Sequence, residues 1–195
     1  MERQAEVTRK TKETDITVRL NLDGDGQHEI ATGVPFFDHM LAQVAVHGLL
    51  DLSIVVQGDL AVDDHHTVED VGIVLGQALR QALSCSEGLA RYGAATIPMD
   101  EALALVAVDL SGRGFLAYDV PFPQPTIGRF DAQLVEEFLR ALATHAHLTL
   151  HARLLAGRNA HHIAEAVFKA LGRALRQAVA LDPRRSGAPS SKGVL

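Results

Sequence analysis

One stretch of this chain occurs twice. His65-His66-Thr67-Val68-Glu69 and His161-His162-Ile163-Ala164-Glu165 stand 96 positions apart, and over 65–83 the copies share 11 of 19 residues, among them Leu75-Gly76 with Leu171-Gly172. Chance does not supply such a match, so the fold has to be built from one unit made twice. The remaining pattern agrees. Residues 14–22 alternate and are β-branched, then meet Asp23-Gly24-Asp25-Gly26, which predicts a hairpin turn into a second strand. Apolar residues recur at helical spacing over 35–47, and 52–57 reads as a strand. Residues 68–83 follow as a helix with Val71, Leu75, Ala78, Leu79 and Ala82 on one side. The second copy reads as strands over 95–100 and 102–109, a proline-rich loop over 119–128, a helix over 131–144, a strand over 148–155 and a long helix over 160–180. The order β-β-α-β-α therefore runs twice. This predicts an α+β fold in a single domain of two related halves, about 1–93 and 94–180. A tail over 181–195, with Pro183, Gly187, Pro189 and Gly193, reads as extended and partly mobile.

The doubled motif carries chemistry. On a helix, residues four apart share a face and adjacent residues diverge by about 100°. His65 and Glu69 therefore project together, as do His161 and Glu165, while His66 and His162 point elsewhere. A single ion cannot easily take both members of an adjacent pair. The simplest arrangement has two ions: His65, Glu69 and His162 on one, and His161, Glu165 and His66 on the other. Imidazole and carboxylate without thiolate suit Mn, Fe, Co, Ni or Zn. The bland alternative is a helix start with a first-turn Glu favoured by the helix dipole, which does not explain why both copies keep all the polar residues beside an apolar face. His39 and His151 sit within apolar segments and, taken singly, suit buried histidines better than ligands. His28, His47, His145 and His147 read as structural or exposed, and Arg80 and Arg176 as helix surface or interhelix packing.

Composition closes off other classes. The formal charge is -6, with a sequence pI near 5.9, which disfavours a nucleic-acid partner. The lone cysteine, Cys85, excludes an intrachain disulfide framework and fits a reducing cytoplasm. Met1-Glu2-Arg3-Gln4-Ala5-Glu6 has no apolar signal core, and no run of about 18 apolar residues suggests a membrane span.

Longer motifs then identify a family. Phe37-Asp38-His39-Met40-Leu41, Asp63-Asp64-His65-His66-Thr67-Val68-Glu69-Asp70, Asp109-Leu110-Ser111-Gly112-Arg113, His161-His162-Ile163-Ala164-Glu165-Ala166-Val167-Phe168-Lys169-Ala170 and Pro189-Ser190-Ser191-Lys192-Gly193-Val194-Leu195 resemble imidazoleglycerol-phosphate dehydratase, in that family's order, from about Arg9 to Leu195. The resemblance implies a fold like the ribosomal S5 domain 2-like superfamily. It implies dehydration of D-erythro-imidazole glycerol phosphate to imidazole acetol phosphate in histidine biosynthesis. It further implies a homo-24-mer with two Mn2+ ions per active site at subunit interfaces, binding the imidazolate form of the substrate. One ion would be held by His39, His66, His161 and Glu165, the other by His65, Glu69, His151 and His162. This agrees with the pairing drawn from helix geometry and adds His39 and His151. Glu13 matches the family's substrate-contacting glutamate and takes the acid–base role. Arg91, Arg113, Lys169, Ser191 and Lys192 match its phosphate and substrate contacts. Without the resemblance, Glu13, Arg91 and Arg113 would read as solvated charges. A dinuclear metallohydrolase, which would release phosphate, and a purely structural metal protein, which would need no phosphate-binding set, are the competing readings.

Overall fold

The computed structural model describes residues 3–84, 88–184 and 187. Ser191, Lys192, Cys85 and most of the predicted tail lie outside the described residues. The first half runs β1 (Gln4–Lys10), β2 (Thr14–Asn21), β3 (His28–Ala31), α1 (Pro35–Gly48), β4 (Asp51–Gly58) and α2 (His65–Leu83). The second runs β5 (Tyr92–Met99), β6 (Ala102–Asp109) and β7 (Phe115–Asp119), then a short hairpin of β8 (Thr126–Ile127) and β9 (Phe130–Asp131), then α3 (Leu134–Ala146), β10 (Thr149–Ala156) and α4 (Ala160–Ala178). The α+β class and the duplication are as the sequence predicts. The first half holds one strand more than its pattern announced, β1, and the second holds three, β7 and the two-residue strands β8 and β9, which fall in and just after the predicted proline-rich loop. β1 alternates with charged and polar outer positions, and β7 has only five residues, so neither stands out by periodicity.

The two sheets have the same order, β1-β2-β4-β3 and β5-β6-β10-β7. In each, the third strand of the half runs parallel to the strand after the helix, and the other pairings are antiparallel. The hairpin expected at Asp23–Gly26 is therefore not one. The turn leads away from β2, and β3 pairs with β4 on the far side. Asp51 at the start of β4 draws the turn across, because its Oδ1 accepts the backbone N–H groups of Asp25, Gly26 and Gln27 at 3.0, 3.3 and 3.1 Å. The true hairpins join β1 to β2 and β5 to β6.

Period-two patterning puts Ile16, Val18 and Leu20 of β2 and Ala104, Val106 and Val108 of β6 into the core. Helix α2 covers β1 and β2, and α4 covers β5 and β6, while α1 packs on α4 and α3 on α2. The halves are thus interlocked by their helices. The repeated glycines explain how. A Cβ on Gly172 would stand 2.7 Å from the Val44 carbonyl of α1, and one on Gly76 would stand 2.9 Å from the Leu142 carbonyl of α3. Both crossings are close because no side chain intervenes. Among the described residues, no helix is long and apolar enough to cross a membrane.

Candidate metal centre

Both motifs open a long helix just after a strand, and in both a side-chain oxygen two residues earlier accepts the first histidine's backbone N–H. Asn159 Oδ1 accepts from His161 N at 2.9 Å, and Asp63 Oδ1, two residues before the other pair, accepts from His65 N at 2.9 Å. Asn159 is the N-cap of α4, whereas Asp63 precedes the N-cap of α2, Asp64, which makes no side-chain cap bond.

The helical periodicity then does what the spacing predicts. Glu165 Oε2 lies 3.3 Å from His161 Nε2, and Glu69 Oε2 lies 3.7 Å from His65 Nε2. Helix α1, crossing α4, brings His39 Nε2 to 3.9 Å from the same Glu165 oxygen. His39, His161 and Glu165 are the one trio among the described residues whose ligand atoms all lie within 4.8 Å of one another. Their donors, two imidazole nitrogens and a carboxylate, suit a borderline divalent cation. Burial works to raise the pKa of Glu165, but the Lys169 ammonium, hydrogen-bonded to its Oε1 at 2.8 Å, and the nearby His39 and His161 hold it below the usual carboxylate value. The chain thus has a possible metal site with its carboxylate ready as an anion.

His66 and His162 do not join such a group within one chain. His66 Nδ1 faces Asp59 Oδ2 at 3.0 Å, and its Nε2 lies 3.9 Å from Glu13 Oε1. His162 Nδ1 faces Glu101 Oε2 at 2.8 Å. The Asp59 hydrogen bond, helped by the charges of Glu13 and Asp63, raises the His66 pKa, and the Glu101 hydrogen bond raises that of His162. Glu101 in turn is pulled down to about 2 by His162 and by the backbone N–H of Asn159. His151 stands on the outer face of β10, opposite to α4, between Ala107 of β6 and Ala117 of β7.

The expected phosphate contacts are split. Lys169 sits beside the trio. Arg91 lies at the other end of β6, where its Nε donates to Asp109 Oδ1 at 2.7 Å and its guanidinium stacks over Tyr92. Arg113 follows Ser111, whose hydroxyl donates to the Arg113 carbonyl. Seven strand steps, about 23 Å, separate that end of β6 from Glu101 and His162. One substrate cannot touch both ends of one chain's β6. The other histidines stay outside the site: burial lowers the pKa of His47 and His145, His147 meets Arg80, and His28 meets the Gly26 carbonyl.

Sequence reasoning passed over Asp59 and Glu101. Asp59 follows a strand without a motif around it. Glu101 stands 88 residues after Glu13, the offset that relates β2 to β6, whereas the motif offset is 96; the two halves differ in loop length, which hid the correspondence.

A model of the imidazoleglycerol-phosphate dehydratase family matches residues 32–175. The imidazoleglycerol-phosphate dehydratase of Desulforamulus reducens is 60% identical over 195 residues, covering 100% of both chains. That of Moorella thermoacetica is 58% identical over the same length and share. Among solved structures, the enzyme of Staphylococcus aureus superposes with a TM-score of 0.84 at 41% identity, covering 92% of this chain and 99% of its own. That of Pyrococcus furiosus superposes with a TM-score of 0.84 at 42% identity, covering 97% of this chain and 100% of its own.

Proposed function

Because the chain belongs to the imidazoleglycerol-phosphate dehydratase family, we propose that it dehydrates D-erythro-imidazole glycerol phosphate to imidazole acetol phosphate in histidine biosynthesis, with two Mn2+ ions shared between subunits. The observation that carries this reading is the His39–His161–Glu165 trio, set in a chain with full-length relatives of that activity. The ligand sets are His39, His66, His161 and Glu165 for one ion and His65, Glu69, His151 and His162 for the other. His151 faces away from α4, so a second chain has to bring it to the motif.

Assembly is supported by the outer face of the second sheet. Leu103, Leu105 and Ala107 point outward there, with Tyr92 and Phe115 exposed at its end by 59% and 57%. The corresponding positions of the first sheet, Asp15, Thr17 and Arg19, are polar. An apolar sheet face with a histidine in its middle is a contact surface rather than a solvated one. A homo-24-mer in the cytoplasm is the assembly and location we assign.

The bound ions would act as Lewis acids on the two ring nitrogens and hold the ring as an imidazolate. The chain's own residues do the rest. Glu13, in the β1–β2 hairpin beside His66, moves the proton: it takes the C–H proton of the side-chain carbon next to the one that loses hydroxide, and the hydroxyl leaves as water. The enol so formed becomes the ketone. Arg91 and Arg113 from one chain, with Lys169 from another and Ser191 and Lys192, hold the phosphate. The test is a dehydration assay on chelated protein after Mn2+, Zn2+ or Mg2+ is returned separately. Activity is expected to vanish on chelation and return with Mn2+. Full activity in the chelated protein would defeat this reading, and release of inorganic phosphate would indicate a hydrolase instead.

A further inference from the structure

The two hairpin glutamates occupy one position of the repeat and face the same histidine of their own half. Glu13 immediately precedes β2, and Glu101 immediately precedes β6. The two halves nevertheless use them differently. Glu101 Oε2 lies 2.8 Å from His162 Nδ1, and its Oε1 accepts the N–H groups of Asn159 and Arg158 at 2.8 and 3.2 Å. Glu13 lies on the opposite edge of its ring, 3.9 Å from His66 Nε2. In the first half the Nδ1 edge is taken by Asp59, at 3.0 Å. Asp59 also donates its backbone N–H to the Glu13 carbonyl at 3.0 Å. Among the described residues of the second half no aspartate meets Nδ1; Asp100, on the hairpin, lies 3.8 Å from His162 Nε2, the edge that Glu13 takes in the first half. The strand-to-helix connection of the second half, Gly157-Arg158-Asn159, is three residues shorter than 59–64 and holds no carboxylate.

We propose that Asp59 and Glu101 are the positioning residues of His66 and His162: each accepts Nδ1–H, which leaves the Nε2 lone pair facing the ion. In the first half Asp59 has taken over the task that the hairpin glutamate performs in the second, and Glu13 is thereby released to meet substrate. The physical reason is that an imidazole binds metal through one unprotonated nitrogen, and the hydrogen bond at the other nitrogen decides which one that is. This inference rests on the metal-binding reading above.

The substitutions differ in what they permit. Glu101 Oε1 is committed to two backbone N–H groups, so in Glu101→Gln the carbonyl oxygen stays there and the amide NH2 turns to His162. It would donate to Nδ1 and drive the proton onto Nε2. Asp59 Oδ1 is buried without a hydrogen-bond partner among the described residues. Asparagine can therefore present its carbonyl oxygen to His66, so Asp59→Asn should be mild and Asp59→Ala severe. The experiment is Mn2+ titration of the assembled, metal-stripped protein, with unbound Mn2+ read by electron paramagnetic resonance and the melting temperature of the stripped form measured alongside. Glu101→Gln and Asp59→Ala are expected to weaken Mn2+ binding about 10–100-fold. Asp59→Asn should lose only a few-fold, and Glu13→Gln should bind Mn2+ like the unaltered protein. Equal Mn2+ affinity in Glu101→Gln, or equal loss in Glu13→Gln, overturns the proposal. So does an equal loss of Mn2+ affinity in Gly76→Ala, which is expected to lower the melting temperature without touching His66 or His162. Failure of the unaltered protein to bind Mn2+ would instead defeat the metal reading, which separates the two.

Discussion

The two halves share a motif and a topology, but among the described residues only the second copy gathers a third candidate ligand inside its own chain. His161 and Glu165 receive His39 from α1. Counting back from the helix ends Leu49 and His147, both left-handed caps at φ 51 and 54, the residue of α3 that corresponds to His39 is Glu137. The first copy therefore has a carboxylate at the position where the second has an imidazole. The carboxylates differ too. Glu165 is 10% exposed and held by Lys169, whereas Glu69 is 45% exposed and has Ile73 where Lys169 would stand. A duplicated unit therefore need not build the same site twice; under the function proposed above, a second chain completes the first motif.

That contrast can be broken in steps. The largest effect is expected from the ligands: His161→Ala or Glu165→Gln should lower activity by more than the roughly 10–100-fold that loss of an outer-sphere partner produces, with Mn2+ stoichiometry reduced in equilibrium dialysis. Glu13→Gln comes next, with kcat down about 10^2–10^4-fold, little change in KM and Mn2+ retained; equal loss through KM would make it a binding residue only. On the sheets, Leu105→Arg should dissociate the assembly in analytical ultracentrifugation, whereas Thr17→Arg, its counterpart 88 residues earlier, should leave it intact.

Smaller effects test the symmetric features. Gly76→Ala and Gly172→Ala should each lower the melting temperature by similar amounts, since overpacking costs about 1–3 kcal/mol and the gain in helix propensity returns only about 1. Unequal shifts would show that the two helix crossings are not equivalent. Last is a pH effect in chelated protein. His162 is raised above 6.5, so its contribution is complete below that pH and lost as pH climbs through its folded value. Glu101 is lowered from 4.5 to about 2, so its contribution is present above 4.5 and lost as pH falls toward about 2. The pair acts in full between those limits. Glu101→Gln should then lower the melting temperature most near pH 5.5 and less near pH 9, on the order set by this linkage.

Much of the fold was legible because its signals are local. The helix over 68–83 and the strand over 102–109 announce themselves by period, and the doubled motif by identity. β1 and β7 were less visible: polar outer positions hide one, and five residues are too few for the other. The turn at Asp23–Gly26 misled, because turn chemistry says that the chain reverses but not which strand it joins. Asp51, 28 residues after Asp23, decides that.

By itself the sequence determined that the chain is a duplicated α+β unit of this family and that each helix start carries a His–Glu pair on one face. Those follow from helical spacing and residue identity, which need no neighbours. Only the tertiary structure decided that His39 joins the second pair and not the first, that Asp59 and Glu101 face His66 and His162, and that Arg91 lies about a strand's length, roughly 23 Å, from His162 of its own chain. These are contacts between residues distant in the chain, set by how α1 crosses α4 and how each hairpin folds over its helix start, and no periodicity records them.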